Sequence, residues 1–433
     1  MEVFLIYLYV VGAIATLLFF LQYFNPRSTS RVHGILFLFR RYLVLPYLIK
    51  RRRLWGPLTR CQALLYCVYS AGTIAANVTK APTLEVARAR AGSLAVLHIS
   101  LLCTVPSLSL GASFFRLSLP TYRRLHRNIG LMAVLQSVLH VLLSIQIRPM
   151  NLHQSNQKYG LIASVSIGVV SVAVIPWIRC YIYEVCIKMH VAVGIVSLVT
   201  TWIHMKDRFS LNGWLLVGSV CLFLFNAVFG IIREIFRNTT KQQSLVTASR
   251  QSLVDAVMID FSLSRPWEIH PGDYIFIRAL GIHPLSFAES HPFNIIWWDQ
   301  DKHGMATRVY VIAKAQFGLS RNLSMVSTSS LRLSIDGPYG KALNTGTWDN
   351  FLFVATDIGI TAQLPYLKWL IDLQRHPRRL GRVSMIWVVQ NDAHRNWAQS
   401  QLTYLLHVDE RDLVSEYCSS FTQRWGSTSK YSN

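Results

Sequence analysis

Four histidines constrain what this chain can fold into more than any other feature. His126 and His140 stand 14 residues apart in the apolar run LHRNIGLMAVLQSVLHV, and His190 and His204 stand 14 apart in MHVAVGIVSLVTTWIHM. At about 100° per residue, 14 steps fall roughly 40° short of four turns, so each pair shares one helix face. At a rise of about 1.5 Å per residue the two rings are roughly 21 Å apart along the axis, a large part of a hydrocarbon core of about 30 Å. Two such helices side by side offer two levels of facing imidazoles. The simplest occupant of each level is a planar haem with one axial histidine from each helix. A single histidine in a membrane helix is often a hydrogen-bonded core or interfacial residue. Two pairs at one spacing on two helices argue instead for ligation, because ionisable groups at that depth are costly and mark function. His98, in SLAVLHISLLC, has no partner at that spacing and reads as structural.

The rest of the composition agrees with a membrane protein. Of 433 residues, 52% are hydrophobic, too apolar for an ordinary soluble protein and too long for one domain. The formal net charge of +22 could signal nucleic acid, anionic lipid or phosphorylated ligands. Its distribution favours lipid. Apolar spans are expected at Val3–Phe24, Cys61–Thr79, Ser93–Phe115, His126–Ile147, Leu161–Ile178, Cys186–Met205 and Leu211–Ile232, seven in all. The loops they place on one side carry eighteen Lys or Arg, nine of them between Asn25 and Arg60, against seven on the other side. The positive-inside rule then makes the basic side cytoplasmic, with the N-terminus outside and a membrane rather than a nucleic-acid partner. The two histidine helices run parallel in this topology, so His126 faces His190 at the inner level and His140 faces His204 at the outer. Val3–Phe24 lacks a basic n-region and reads as a retained helix, not a signal peptide. The seven cysteines contain no C-x-x-C, so neither a disulfide framework nor a zinc site is expected. Asn77-Val-Thr is a glycosylation sequon too close to the membrane to be readily used; Asn238 and Asn322 begin others on the cytoplasmic side.

From Ser244 the pattern changes to short β-rich runs punctuated by Gly, Pro and Asp: LVDAVMIDFSL, DYIFIRAL, FNIIWW, TRVYVIAK and LRLSID. Strands so closely spaced suggest a small antiparallel barrel. After Pro338, FLFVA reads as a fully buried strand, LPYLKWLIDLQ as a helix, VSMIWVVQ as a second strand and NWAQSQLTYLLHV as a second helix. That alternation implies a parallel α/β sheet, here with two good strands. The tail from Ser419 is polar. The fold class is therefore a multidomain membrane protein, a helical transmembrane bundle followed by an antiparallel β-barrel and a partial parallel α/β domain. Its parts are a first transmembrane helix at 1–25, a basic loop at 26–60, a six-helix di-haem segment at 61–235, an antiparallel barrel at 244–340 and a partial α/β segment at 345–433.

In this order the parts resemble the fungal ferric reductases, which share a superfamily with the NADPH oxidases. The resemblance covers about Cys61 to Asp409. It implies two b-type haems on His126, His140, His190 and His204. His291-Pro292-Phe293-Asn294 is similar to the family's flavin motif H-P-F-T, with Asn for the usual hydroxyl. Pro271-Gly272-Asp273-Tyr274 resembles P-G-Q-Y, and Gly318-Leu319-Ser320-Arg321 resembles the G-F-T segment that meets the flavin pyrophosphate, where a hydroxyl and a cation suit phosphate oxygens. Gly337-Pro338-Tyr339-Gly340 resembles the G-P-Y-G on the nicotinamide side. Thr356-Asp357-Ile358-Gly359-Ile360-Thr361-Ala362 stands where the family has the pyrophosphate loop G-x-G-I-T-A; Thr356, Gly359 and Thr361 are the expected contacts. Asp357 replaces a glycine there and is expected to turn a carboxylate toward arriving phosphates and weaken binding. The family also has a further stretch after VSMIWVVQ, with a Cys-Gly motif near the nicotinamide, that does not appear before Asn433; an incomplete, impaired nucleotide domain is the expectation.

The resemblance implies an oxidoreductase of the plasma membrane. Cytosolic NADPH would feed FAD, two haems, and ferric or cupric chelates outside, in support of iron uptake. A flavin is needed because hydride transfer moves two electrons and ferric iron takes one. Bis-histidine ligation leaves no open iron position, so the haems would carry electrons without binding substrate, and electron transfer needs no acid–base catalytic pair. A superoxide-generating NADPH oxidase is the first alternative, although that branch tends to one shorter histidine spacing. The second is a membrane haem protein with no catalytic output.

Overall fold

The computed structural model describes residues 7, 34, 37–50, 56–105, 107–205, 211–240, 245–282, 286, 289–315, 318–326, 328–341, 349–373, 381–409 and 414–420. The expected span Val3–Phe24 lies outside the described residues apart from Tyr7. The chain divides into two units, Met1–Gly111 with Pro120–Ala227, and Ala112–Leu119 with Val228–Asn433.

The first unit is helical. Helix α1 (Arg60–Val78) starts at a capping box: the Thr59 hydroxyl accepts the Gln62 N–H and the Gln62 side chain accepts the Thr59 N–H. Next come α2 (Leu84–Leu102), α3 (Leu108–Phe114), α4 (Leu119–Ile147), α5 (Ser155–Ala173), α6 (Pro176–Tyr181), α7 (Tyr183–Met205) and α8 (Leu211–Asn238). Two expected spans are interrupted. Ser93–Phe115 ends as a helix at Leu102, and a separate helix begins at Leu108; Leu161–Ile178 ends at Ala173, and α6 starts anew with Pro176 in its first turn. Proline lacks the N–H that a continuing helix would need and suits a first turn. Among the described residues three helices are long and apolar enough to cross a membrane: Leu119–Ile147, Val185–Met205 and Leu211–Asn238. Helices α1 and α5 have 19 residues each, and α2 carries Glu85, Arg88 and Arg90 near its start. One buried polar contact ties two helices of this unit: the Asn77 amide donates to the Thr73 carbonyl and to Gln136 Oε1 at 3.1 Å. Asn77 is buried, which removes its sequon from use.

The second unit contains a closed six-stranded antiparallel barrel. Its strands are β1 (Val246–Leu253), β2 (Ala256–Trp267), β3 (Tyr274–Leu280), β4 (His291–Gln300), β5 (Ala306–Lys314) and β6 (Ser330–Tyr339), in the order β1-β2-β5-β4-β3-β6. Alternation drives the closure. Every second residue of β3 (Ile275, Ile277, Ala279) points into a core shared with Ile259, Phe261, Val309, Val311, Leu333 and Ile335. The short helix α9 (Leu319–Met325) adds Leu319 and Leu323 to that core. The run LVDAVMIDFSL is not one strand. It breaks at Val254–Asp255, with Asp255 in the left-handed region at φ 56°, and the segment before it forms β1.

The α/β segment has three parallel strands, not two: β7 (Phe351–Thr356), β8 (Val383–Val389) and β9 (Val414–Ser420), with β8 central. Helices α10 (Ile360–Leu373) and α11 (Gln399–Val408) contribute Leu364, Leu367, Leu370, Leu402 and Leu405 to a second core with Met385 and Trp387. That core also takes Ala256, Met258, Ile296 and Ile312 from the outside of the barrel. At about 1.5–3 kcal/mol per fully buried large aliphatic side chain, this joint is a weld rather than a hinge. β7 is not fully buried as expected: Leu352 and Val354 face outward and are 64% and 54% exposed.

The end of α8 from Val228 onward belongs to the second unit and grips the barrel within it. The Asn238 amide donates to the Ile335 carbonyl and accepts the Ile335 N–H, both at 2.8 Å, pairing with β6 as a strand would. Arg233 donates to Asp336 at 2.7 Å and to the Tyr339 hydroxyl, and Glu234 accepts from Arg278 and Ser334. The Asn238 sequon is thus engaged within the fold.

Candidate functional site

The four histidines meet in the pairs expected of two parallel helices. His126 on α4 and His190 on α7 have ring centroids 6.2 Å apart; His140 and His204, one face and 14 residues further along, are 6.3 Å apart. A metal–imidazole bond of about 2.0–2.1 Å on each side, plus about 1.1 Å from each nitrogen to its ring centre, puts two axial imidazoles ~6.3 Å apart. Both pairs therefore have the separation that a shared iron requires. The Nδ1 atoms of His140 and His204 donate to backbone carbonyls, of Arg88 at 2.9 Å and of Asn156 at 2.6 Å. That fixes the tautomer and leaves Nε2 as the nitrogen available for a metal. Between the two levels the shared face is small on both helices. Steps of four, seven and eleven residues from His126 give Gly130, Ala133 and Ser137; from His190 they give Gly194, Ser197 and Thr201. A face without bulky side chains suits flat macrocycles standing between two helices. The residues present fit two haems by spacing and room, and the His140–His204 pair by tautomer as well. His98 is buried on α2, with Nδ1 donating to the Leu94 carbonyl at 2.6 Å and the Tyr69 ring 5.9 Å away.

The motifs of the second unit converge on the joint between barrel and α/β segment. β3, which begins at Tyr274, pairs with both β4 and β6: Tyr274 is opposite Asn294 and opposite Tyr339. Pro271–Tyr274, His291–Asn294 and Gly337–Gly340 therefore lie side by side. The approach is close enough that a Cβ at Gly340 would collide with Asp273, so only glycine fits there. A cavity of about 250 Å³ opens beside them, lined by Gly272, Asp273, Asn294 and Ile295 from the barrel and by Thr361, Gln363 and Tyr366 from α10. Asn294 is exposed at this cavity, and its carboxamide can both donate and accept toward a ring edge. Phe293 is half-buried against the barrel core. Burial pushes the Asp273 carboxyl up to about 6, against the opposing pull of the His270 N–H that donates to it at 2.8 Å.

Not every expected contact comes to this cavity. Thr361 lines it, while its hydroxyl donates to the Ile358 carbonyl. Gly359 lies in the turn just before α10, and Thr356 is exposed at the end of β7. Gly318, Ser320 and Arg321 belong to the start of α9 and are not among the lining residues; Arg321 is exposed. Tyr339 is buried, tied to Arg233 and Asp336 and 6.0 Å from the Tyr274 ring, so its hydroxyl serves the barrel. Gly337 and Pro338 are joined by a cis peptide bond.

Asp357 departs most from expectation. Its backbone is left-handed, φ 51°, as a glycine there would be, but its carboxylate is already engaged. Lys314 of β5 donates to one oxygen, and His394 Nδ1 lies 2.9 Å from the other. His394 Nε2 is in turn 3.1 Å from Asp255 of the β1–β2 turn. Trp397 stacks on His394 at 4.1 Å and donates to the Val254 carbonyl, while Trp387 donates to the Asp357 carbonyl at 2.9 Å. The carboxylate is a clasp between barrel and α/β segment rather than a charge aimed at phosphates. Sequence reasoning missed Lys314, His394 and Asp255, and no local pattern announces them.

Comparison with known proteins gives these geometries a context. Residues 91–201 match the ferric reductase like transmembrane component family, and residues 244–343 match an FAD-binding domain. The resemblance to the ferric reductases holds. The chain is 26% identical over 221 residues to ferric/cupric reductase transmembrane component 2 of Saccharomyces cerevisiae, covering 49% of this chain and 28% of that one. It is 25% identical over 316 residues to component 6 of the same yeast, covering 69% of this chain and 42% of the relative. A probable cell surface ferric reductase of Aspergillus oryzae is 22% identical over 259 residues, covering 56% of this chain and 34% of its own. This chain thus spans well under half the length of these relatives. Among solved structures, the Amycolatopsis cytochrome P450 reductase GcoB overlaps 40% of this chain and 50% of its own at 14% identity, with a TM-score of 0.32, too low to bear on function.

Proposed function

We propose that this chain carries electrons across a membrane, from NADPH on the side of the barrel to ferric or cupric chelates on the other side. The observation that carries the reading is the pair of imidazole levels, 6.2 and 6.3 Å between rings, on helices that precede a closed barrel matching an FAD-binding domain. His126 with His190, and His140 with His204, would each hold one b-type haem. His291 to Asn294, with Gly318, Ser320 and Arg321, would hold the flavin; Gly337, Pro338 and Gly340, braced by the buried Tyr339, and Thr356, Gly359 and Thr361 would meet the nicotinamide nucleotide. When bound, these groups supply hydride acceptance, conversion of two-electron into one-electron transfer, and single-electron relay.

The chain's own side chains act by positioning. Nδ1 donation by His140 and His204 holds each ring in one tautomer and one orientation. In the second unit the weld across Ile296, Met258, Leu364 and Leu367 fixes the cavity wall, so α10 and the barrel approach any bound ring as one surface. The segments at 61–235, 244–340 and 345–433 take the di-haem, flavin and nucleotide roles in this reading, in a plasma membrane with the last two cytoplasmic.

The test is the purified chain in sealed vesicles, with NADPH added on the barrel side and ferric citrate on the other, and ferrous iron read with a chromogenic chelator. NADPH-dependent reduction of the enclosed iron is expected, insensitive to superoxide dismutase. Reduction abolished by superoxide dismutase would make oxygen the acceptor. No reduction by NADPH or by chemically reduced flavin would remove the electron-carrier reading.

A further inference from the structure

His140 and His204 are seated in the same way on two different helices. His140 packs against Gly92 of α2, and the carbonyl that its Nδ1–H meets, Arg88, lies four residues before that glycine. His204 packs against Gly160 of α5, and the carbonyl of Asn156 lies four residues before that glycine. In an α-helix the carbonyl of residue i accepts the N–H of residue i+4, and the side chain at i+4 stands beside that bond. Glycine at i+4 leaves the patch bare, so an imidazole from a neighbouring helix can lie on the backbone and share the carbonyl. A Cβ at Gly92 would stand 2.8 Å from His140 Nδ1 and 3.0 Å from Cε1; one at Gly160 would stand 2.8 Å from both His204 Nδ1 and Cε1. The struck atoms belong to a ring pinned by its own hydrogen bond, not to the free end of a flexible side chain.

The device is confined to one level. Gly130 and Gly194 follow His126 and His190 by four residues on the same helices, but a Cβ at Gly194 would meet nothing within 4 Å, and one at Gly130 only Leu102 at 4.0 Å. Glycine at those positions leaves room; glycine at 92 and 160 makes a seat.

We propose that Gly92 and Gly160 are positioning residues for the His140–His204 pair. Each keeps a backbone carbonyl open to Nδ1 and thereby sets the tautomer and ring plane that present Nε2 to the iron. The proposal rests on reading the four histidines as haem ligands. The groups that orient a metal-bound histidine typically change metal affinity by about tenfold to a hundredfold when removed.

The experiment uses the full chain purified with its haem. Ferric low-spin resonance spectra and haem loss to excess apomyoglobin are measured for the unmodified chain, Gly92→Ala, Gly160→Ala, the double variant, His140→Ala, and Gly72→Ala, whose Cβ meets nothing within 4 Å. The expected result is a shifted or lost low-spin signal for one haem and at least tenfold faster loss of that haem in the glycine variants. The other haem stays as in the unmodified chain and so reports an intact fold, and Gly72→Ala matches the unmodified chain. Unchanged spectra and haem retention in the double variant, while His140→Ala loses one haem, would overturn the proposal and leave the ligand assignment standing. Equal loss of both haems would overturn it too, because the seat serves one pair. Two unaltered haems in His140→Ala would overturn the ligand assignment itself.

Discussion

Asp357→Ala tests the clasp between the barrel and the α/β segment. The Asp357 side chain is 13% exposed, and its partners Lys314 and His394 are 20% and 3% exposed. Removing one member of a buried pair costs about 3–5 kcal/mol. Lys314 keeps some access to water, so the lower end or slightly less applies, about 2–3 kcal/mol. Asp357→Gly loses the same partners but relaxes a left-handed backbone that costs a non-glycine residue about 1 kcal/mol, leaving a net loss of about 1–2 kcal/mol. At about 2–4 °C per kcal/mol for a unit of this size, the unfolding midpoint should fall by ~5–10 °C in the alanine variant and ~3–6 °C in the glycine variant. Thermal unfolding of the full chain in detergent, followed by tryptophan emission, reads this at Trp387 and Trp397, both within the clasp. NADPH titration is the second arm. A carboxylate held by Lys314 and His394 does not repel a pyrophosphate, so the affinity of Asp357→Gly should be no tighter than that of the unmodified chain. A glycine variant that melts higher, or binds NADPH tenfold more tightly, would refute the clasp.

Three further outcomes follow from the second unit. Asp273 has a folded-state pKa of about 6 against an ordinary 3.8, so the folded state binds its proton more tightly; that stabilisation is complete below about pH 4 and is lost as pH rises through about 6. Asp273→Asn should abolish this component, worth up to about 3 kcal/mol, so the variant's advantage in melting temperature should grow between pH 4 and 6.5; a constant difference would contradict it. Asn238→Ala strips both backbone groups of Ile335 of a partner and should cost about 2–4 kcal/mol, with faster hydrogen exchange at the Ile335 amide; an unchanged exchange rate would show that the α8 grip is incidental. Phe293→Ala should lose only about 1–2 kcal/mol of packing, because the ring is half-buried, yet lose most bound FAD as judged by flavin absorbance; full flavin retention would reduce the motif to a strand.

The sequence made the periodic features legible and left the long-range ones hidden. The 14-residue spacing put two histidines on one face of each helix, and the parallel course read from the loop charges then set the pairs His126–His190 and His140–His204. The barrel was readable from β2 to β6, whose apolar residues alternate. Strand β1, VTASRQSL, was not, because only Val246 and Ala248 of its inward positions are plainly apolar; β9, VSEYCSS, holds no apolar run, and its last two residues fall in the tail read as polar from Ser419. Helix ends at Leu102 and Ala173 were obscured by apolar residues running on across the breaks. The error at Asp357 was of another kind. Its partners lie 43 and 37 residues away on a barrel strand and in the turn after β8, and no local pattern can say that a loop carboxylate faces a lysine rather than a ligand. The seats at Gly92 and Gly160 are hidden in the same way, since each glycine is explained only by a histidine some 44 to 48 residues further on.

Haem stoichiometry with ligand assignment tests the central claim most directly. The purified chain should bind two b-type haems per polypeptide, both low-spin with bis-imidazole ferric signatures. The His126→Ala/His190→Ala double variant should retain one haem, with the signal of the His140–His204 pair. A single haem in the unmodified chain, or two haems in that double variant, would contradict the account.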